Sequence, residues 1–99
     1  MLPIKVSENA LTAIKEIIKN KNIPKDYGLR IGIKGGGGCL GFSYILGFDK
    51  EKPTDDKFDI SGIPIYIEKK HLMYLIDVSL DYLSDSEHQG FCFEKNSIN

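Results

Sequence analysis

Only two cysteines occur among the 99 residues, Cys39 and Cys92, too few for the disulfide framework on which small secreted domains rely. The chain also lacks an excess of either charge, since 13 basic and 14 acidic residues leave a formal net charge of −1. Without a basic surplus there is no electrostatic reason to expect nucleic acid or an anionic membrane as a partner. No apolar run approaches the ~18 residues needed to cross a bilayer. The opening Met-Leu-Pro-Ile-Lys-Val has neither the apolar core nor the small-residue cleavage site of a secretory signal. Internal repeats, low-complexity segments and linkers are absent too. No Cys-x-x-Cys or His-x-x-x-His spacing marks a metal site, and no nucleophile, histidine and carboxylate are spaced as a catalytic set. These absences predict a cytoplasmic protein with reduced thiols, and not an enzyme.

What is present is enough for one compact domain, residues 1–99. Apolar residues make up 41% of the chain and charged residues 27%, an ordinary globular balance. Ser7 is a good N-cap, with Glu8 in the first turn. Ala10, Leu11, Ile14, Ile17 and Ile18 then recur at helical spacing, and Pro24 prevents continuation. This helix has one apolar face, so it is expected to lie on a sheet. Beyond Asp26 the period changes to two. Leu29, Ile31 and Ile33 form one half-buried strand, and Phe42, Tyr44, Leu46 and Phe48 form another. The charged segment Asp49 to Lys57 reads as an exposed loop. Phe58–Ile60 and Ile63–Ile67 read as a hairpin turning at Ser61-Gly62, with Pro64 expected at a strand start or edge. A short helix is predicted over Lys69–Ile76, with Leu72, Met73 and Ile76 on one face. Val78–Leu83 and Phe91–Phe93 complete the strands. The fold class is α+β: short, largely antiparallel strands with an N-terminal helix and one short helix.

Four consecutive glycines, Gly35 to Gly38, precede Cys39, Leu40 and Gly41. Gly36-x-Gly38-x-x-Gly41 has the spacing of a dinucleotide fingerprint, but that device needs a helix next, and Phe42 onward alternates as a strand. A Walker A loop is excluded because no Lys-Ser or Lys-Thr follows the glycines. Glycines in such a run are tolerated where the chain needs positive φ or a close backbone approach. One reading is a plain hairpin tip. The functional one is a loop that presents the Cys39 thiol with no side chains crowding it, suited to a soft metal or an iron–sulfur cluster.

From this point the chain resembles a known family. Leu29-Arg30-Ile31-Gly32-Ile33-Lys34, then Gly-Gly-Cys39-Leu40-Gly41-Phe42-Ser43-Tyr44, then Leu46 and Phe48, is similar to the signature of the A-type iron–sulfur carriers, the HesB-like family. Its opening helix resembles Ser7–Ile18 and its hairpin resembles Gly62 with Ile63, Ile65 and Ile67. Leu80-Asp81-Tyr82 and Gly90-Phe91-Cys92-Phe93 resemble its last two strands. The resemblance implies a HesB-like pseudo-barrel or sandwich and a role in iron–sulfur cluster assembly. Cys39 is then the residue that holds iron or a cluster. Assembly proteins and apo-targets are the implied partners, and a homodimer is implied as well. Two departures stand out. Leu40 replaces the family's serine, and Asn96-Ser97-Ile98-Asn99 falls where the family continues toward a Cys-Gly-Cys that supplies two more ligands. The expectation is a degenerate cysteine motif with that tail lacking.

A cluster ordinarily takes four protein ligands, usually thiolates, so one Cys39 per chain calls for a second copy, small thiols or other donors. Cys92 alternates with Phe91 and Phe93, and a structural role is expected for it. His71 and His88 read as solvated surface residues. Asp55, Asp56 and Asp59 could attract a cation weakly, though a charged hairpin loop explains them. Two alternatives stay open: a cofactor-free binding module that serves as partner or regulator in the same pathway, and thiol redox chemistry at Cys39. The latter needs basic neighbours such as Arg30 and Lys34.

Overall fold

The computed structural model describes residues 2–36, 41–85, 87 and 89–96. The elements run β1 (Lys5–Val6), α1 (Glu8–Asn20), β2 (Tyr27–Gly35), β3 (Phe42–Lys50), β4 (Asp55–Ile60), β5 (Ile63–Glu68), a 3₁₀ turn (Lys69–His71), α2 (Leu72–Leu75), β6 (Val78–Ser84) and β7 (Gln89–Lys95). The class is α+β, as the sequence implied. The chain divides into two compact units, one formed by residues 24–75 with Leu2, the other by residues 3–23 and 76–99.

The first unit holds a four-stranded sheet in the order β3-β2-β5-β4. β2 and β3 pair antiparallel over nine residues, from Tyr27↔Lys50 to Gly35↔Phe42. β4 and β5 pair antiparallel across a two-residue turn. At that turn Ser61 (φ 51°) and Gly62 (φ 84°) both take the left-handed conformation that tight hairpins need. β2 and β5 run parallel, with Leu29↔Ile65 and Arg30↔Tyr66. Pro64 lies in an interior strand, but ahead of the first β2 partner, so its missing N–H costs no ladder bond. Alternation gives this sheet one apolar face, where Leu29, Ile31, Ile63, Ile65 and Ile67 are buried.

The opposite face is unlike a solvated sheet surface. Gly28, Arg30 and Gly32 are buried on it, and Tyr66 lies flat enough that a Cβ on Gly28 would come within 2.6 Å of its ring. Here the expected exposed loop from Asp49 to Lys57 is corrected. Asp49 and Lys50 belong to β3 and Asp55 begins β4. The Asp55 side chain is fully covered because the Arg30 guanidinium grips both of its oxygens, at 2.8 and 2.7 Å. Charge alone suggested solvent, and a buried partner overrides it. The short-helix reading also needs correction. Leu75 is the buried residue of α2, while Met73 is 70% exposed.

The second unit holds the sheet β1-β6-β7, with β1 parallel to β6 and β6 antiparallel to β7. α1 starts where Ser7 accepts a hydrogen bond from the Ala10 N–H at 3.0 Å. It ends as Asn22 takes φ 53° and Ile23 N–H closes back to Ile18 O at 3.2 Å. Its buried face, Ala10, Ala13 and Ile14, packs against β6, where Val78 and Leu80 are fully covered. Seven strands lie in two open sheets among the described residues. Six of them pair antiparallel with a chain neighbour, and neither sheet closes into a barrel.

Candidate functional site: the glycine loop at the end of the β2–β3 hairpin

The long β2–β3 ladder carries both strands to one point. After Gly35↔Phe42, the Gly36 N–H donates to Gly41 O at 3.0 Å and closes the base of a turn. Gly36 (φ +87°) and Gly41 (φ +78°) both lie in the left-handed region, which is why glycine stands on each side of the turn. Residues 37–40 sit between them. Cys39, the predicted ligand, and Leu40 therefore lie outside the described residues, as do His88 and residues 97–99. What the structure supplies is the frame: a paired two-strand arm with glycines at both shoulders.

Around the base of that turn lie aromatic rings. Phe42 meets Tyr44 edge-on at 5.5 Å between centroids and Tyr74 of α2 at 5.4 Å. Met73 beside Tyr74 is open to solvent.

Arg30 is not free to activate a thiol. Besides Asp55, its Nε donates to Asp49 at 2.9 Å and its Nη2 to Lys50 O at 2.9 Å. The Asp55 carboxylate raises its already high pKa further, against the opposing effect of burial. In return, the Arg30 hydrogen bonds hold Asp55 below the usual carboxylate range, with help from the Lys52 N–H. Asp49 is lowered as well, first by the Lys50 N–H and then by Arg30. Of the three aspartates that could have drawn a cation, Asp55 is thus occupied by a guanidinium, Asp56 pairs with Lys69, and Asp59 accepts from the Gly62 N–H.

His71 is corrected too. It is half-buried, not solvated: its Nδ1 accepts from the Ile33 N–H at 3.4 Å, and its ring covers Gly32. Cys92, expected to be structural, is an exposed free thiol on β7 in the second unit. It lines a concavity of about 470 Å³ with Lys5, Ser7, Ser79, Asp81 and Glu94. Directly across from it stands Asp81, a carboxylate kept below its ordinary range by the Ser7 hydroxyl and then by the Tyr82 N–H. Among the described residues no three His, Cys, Asp or Glu side chains converge as a metal site.

A family model for iron–sulphur cluster biosynthesis matches residues 2–99. The chain belongs to the iron–sulphur cluster biosynthesis family. The iron-binding protein IscA of Enterobacter sp. (strain 638) is 32% identical over 98 residues, covering 98% of this chain and 89% of that protein. Two solved structures share the fold. IscA with a [2Fe-2S] cluster has a TM-score of 0.78 at 21% identity, over 94% of this chain and 85% of the other. Escherichia coli SufA has a TM-score of 0.76 at 23% identity, over 97% and 82%. As a member of the iron–sulphur cluster biosynthesis family the chain works in cluster assembly or cluster carriage.

Proposed function

We propose that the protein carries iron or an iron–sulphur cluster as cargo on the Cys39 thiolate, with a second copy of the chain contributing a second thiolate. The observation that carries this reading is the hairpin. Nine paired residues deliver the chain to a turn whose shoulders, Gly36 and Gly41, only glycine occupies without strain. The turn's one side chain suited to a soft metal is Cys39. A relative that binds iron, and a like-folded protein solved with a [2Fe-2S] cluster, support the choice of cargo. One thiolate fills one of about four ligand positions on a cluster, so two chains meeting at this turn supply two, and small thiols or another donor supply the rest. Residues 1–99 act as one domain in this reading. The protein is a carrier and not a catalyst, it works in the cytoplasm with reduced thiols, and its partners are cluster-assembly proteins and the apo-proteins that receive the cargo.

The test is anaerobic reconstitution with iron and sulfide, comparing the parent with Cys39→Ser and Cys92→Ser. The parent and Cys92→Ser are expected to colour, with visible thiolate-to-iron bands, and to shift toward a dimer on loading. Cys39→Ser is expected to stay colourless. Equal iron in Cys39→Ser and the parent would defeat the proposal. A colourless parent that still holds assembly proteins would identify a cofactor-free binding module instead.

A further inference from the structure

We propose that His71 is a positioning residue for the Cys39 turn: its neutral imidazole takes the place of a missing strand and fixes the end of β2 from which the turn departs. The inference rests on the reading of Cys39 given above. β2 pairs with β5 at Leu29↔Ile65 and Arg30↔Tyr66 and then loses that neighbour, because the chain after Glu68 leaves the sheet in the Lys69–His71 turn. On that edge the Ile33 N–H would be left without a strand carbonyl, and an unpaired backbone donor that is half-buried costs free energy. His71 Nδ1 accepts it at 3.4 Å. Gly32 makes room for the ring, since a Cβ there would stand 2.8 Å from Nδ1. Lys34 alone separates Ile33 from Gly35 and Gly36, the last described residues before the turn. What holds Ile33 therefore holds the root of the Cys39 arm on its β5 side, as β3 holds the other.

An imidazole accepts at Nδ1 only when that nitrogen is bare, which requires the tautomer protonated on Nε2. A second proton would turn the acceptor into a donor facing another donor. The contact is therefore made by neutral His71 and broken by its cation. Several charged or titratable groups share that face. β2 contributes Arg30 and Lys34, β3 contributes Asp49, β5 contributes Tyr66 and Glu68, and the turn itself contributes Lys69 and Lys70, while Tyr74 of α2 packs on Phe42. Arg30 is matched by Asp49 and Asp55, Glu68 by Lys52 and Lys70, and Lys69 by Asp56.

The experiment is amide hydrogen exchange and ¹⁵N NMR on the parent chain, His71→Asn and His71→Phe, between about pH 5 and about pH 8, where histidine side chains change charge. In the parent at the upper end, Nδ1 is expected to show the shift of an unprotonated acceptor. Loss of the bond is expected to speed Ile33 exchange about fivefold beyond its intrinsic pH dependence. The Gly36 amide at the base of the turn should follow it. His71→Asn offers an oxygen near the same point, so it should keep Ile33 and Gly36 protected at every pH. His71→Phe should lose both at every pH. A parent Nδ1 that carries the proton overturns the proposal. So does Ile33 or Gly36 protection that is the same in the parent and His71→Phe, or Asn failing as Phe does. None of these readouts needs iron. If Cys39→Ser loads like the parent, the cargo reading falls while the exchange data still judge His71.

Discussion

Replacing Arg30 with methionine keeps an aliphatic stem and deletes the guanidinium, leaving the fully covered Asp55 carboxylate with only the Lys52 N–H, at 2.7 Å. Arg30 makes four hydrogen bonds, two of them a bidentate grip on Asp55. Breaking a buried pair from one side costs about 3–5 kcal/mol, because the surviving charge stays buried without its counter-ion. For a chain of this size that is a large part of the ~5–15 kcal/mol total, and a fall in Tm of at least about 12 °C. Adding Asp55→Asn should restore at least half of the loss. Asparagine carries no charge, its oxygen can keep the Lys52 N–H, and its amide can turn to the Lys50 carbonyl that Arg30 vacates. The pH dependence supplies a sign. In the parent, Asp55 is held below its ordinary value by Arg30, so its stabilisation is fully present above about pH 4 and is lost as pH falls through the depressed folded value. In Arg30→Met the same carboxyl is buried without its partner, burial raises its pKa, and acidification should stabilise the protein as the carboxyl takes up a proton. Thermal and urea unfolding followed by circular dichroism, between about pH 3 and about pH 8, reads both effects. An Arg30→Met loss under about 1 kcal/mol, a double mutant that only sums the singles, or an unchanged acid limb would refute the reasoning.

Two further substitutions separate local causes. Ser7→Ala should cost about 1 kcal/mol in thermal unfolding, since Ser7 accepts from the Ala10 N–H as N-cap. It should also let the Asp81 carboxyl, lowered first by the Ser7 hydroxyl, move up toward its ordinary value in an NMR titration. An unmoved Asp81 would show that the hydroxyl is not the cause. Gly28→Ala and Gly32→Ala look alike in sequence but should differ. At Gly28 the new Cβ meets the Pro64 carbonyl oxygen at 2.8 Å as well as the Tyr66 ring, and backbone cannot yield cheaply. An overpacking cost of about 1–3 kcal/mol is expected there. At Gly32 the obstacle is the His71 ring, which can swing away, so stability should fall less while Ile33 exchange rises. Equal losses at the two glycines would be the contrary result.

Much of the fold was legible because local signals agreed with one another. Ser7 before an apolar helical stripe, period-two alternation in β2 and β3, and Ser61-Gly62 between two apolar runs each came out as read. The errors share a cause. Burial of Asp55 depends on Arg30, 25 residues earlier, and no local pattern distinguishes an aspartate that will meet a buried guanidinium from one that will meet water. The two-residue β1 is invisible for the complementary reason: Lys5 and Val6 form a strand only because β6 lies parallel beside them. At α2, helical spacing was right and the buried side was wrong, since a single turn has too few residues for periodicity to choose its face.

The site was half legible for the same reason. Cys39 announces itself through the glycines around it, a local signal. His71 does not, because a lone histidine in a polar turn says nothing about a strand 38 residues earlier. A signal did exist on that strand. Gly28 and Gly32 stand on the same face of β2 with Arg30 between them, and buried glycines four apart on a strand leave two notches that larger side chains must fill. Tyr66 fills the first. In a parallel pair, advancing four residues along β2 advances the neighbouring chain by a similar number, so the side chain for the second notch has to come from near residue 70. His71 is the ring available there. A glycine pair on the strand that leads to a functional turn thus predicts where that turn's support comes from, once a single parallel register is known.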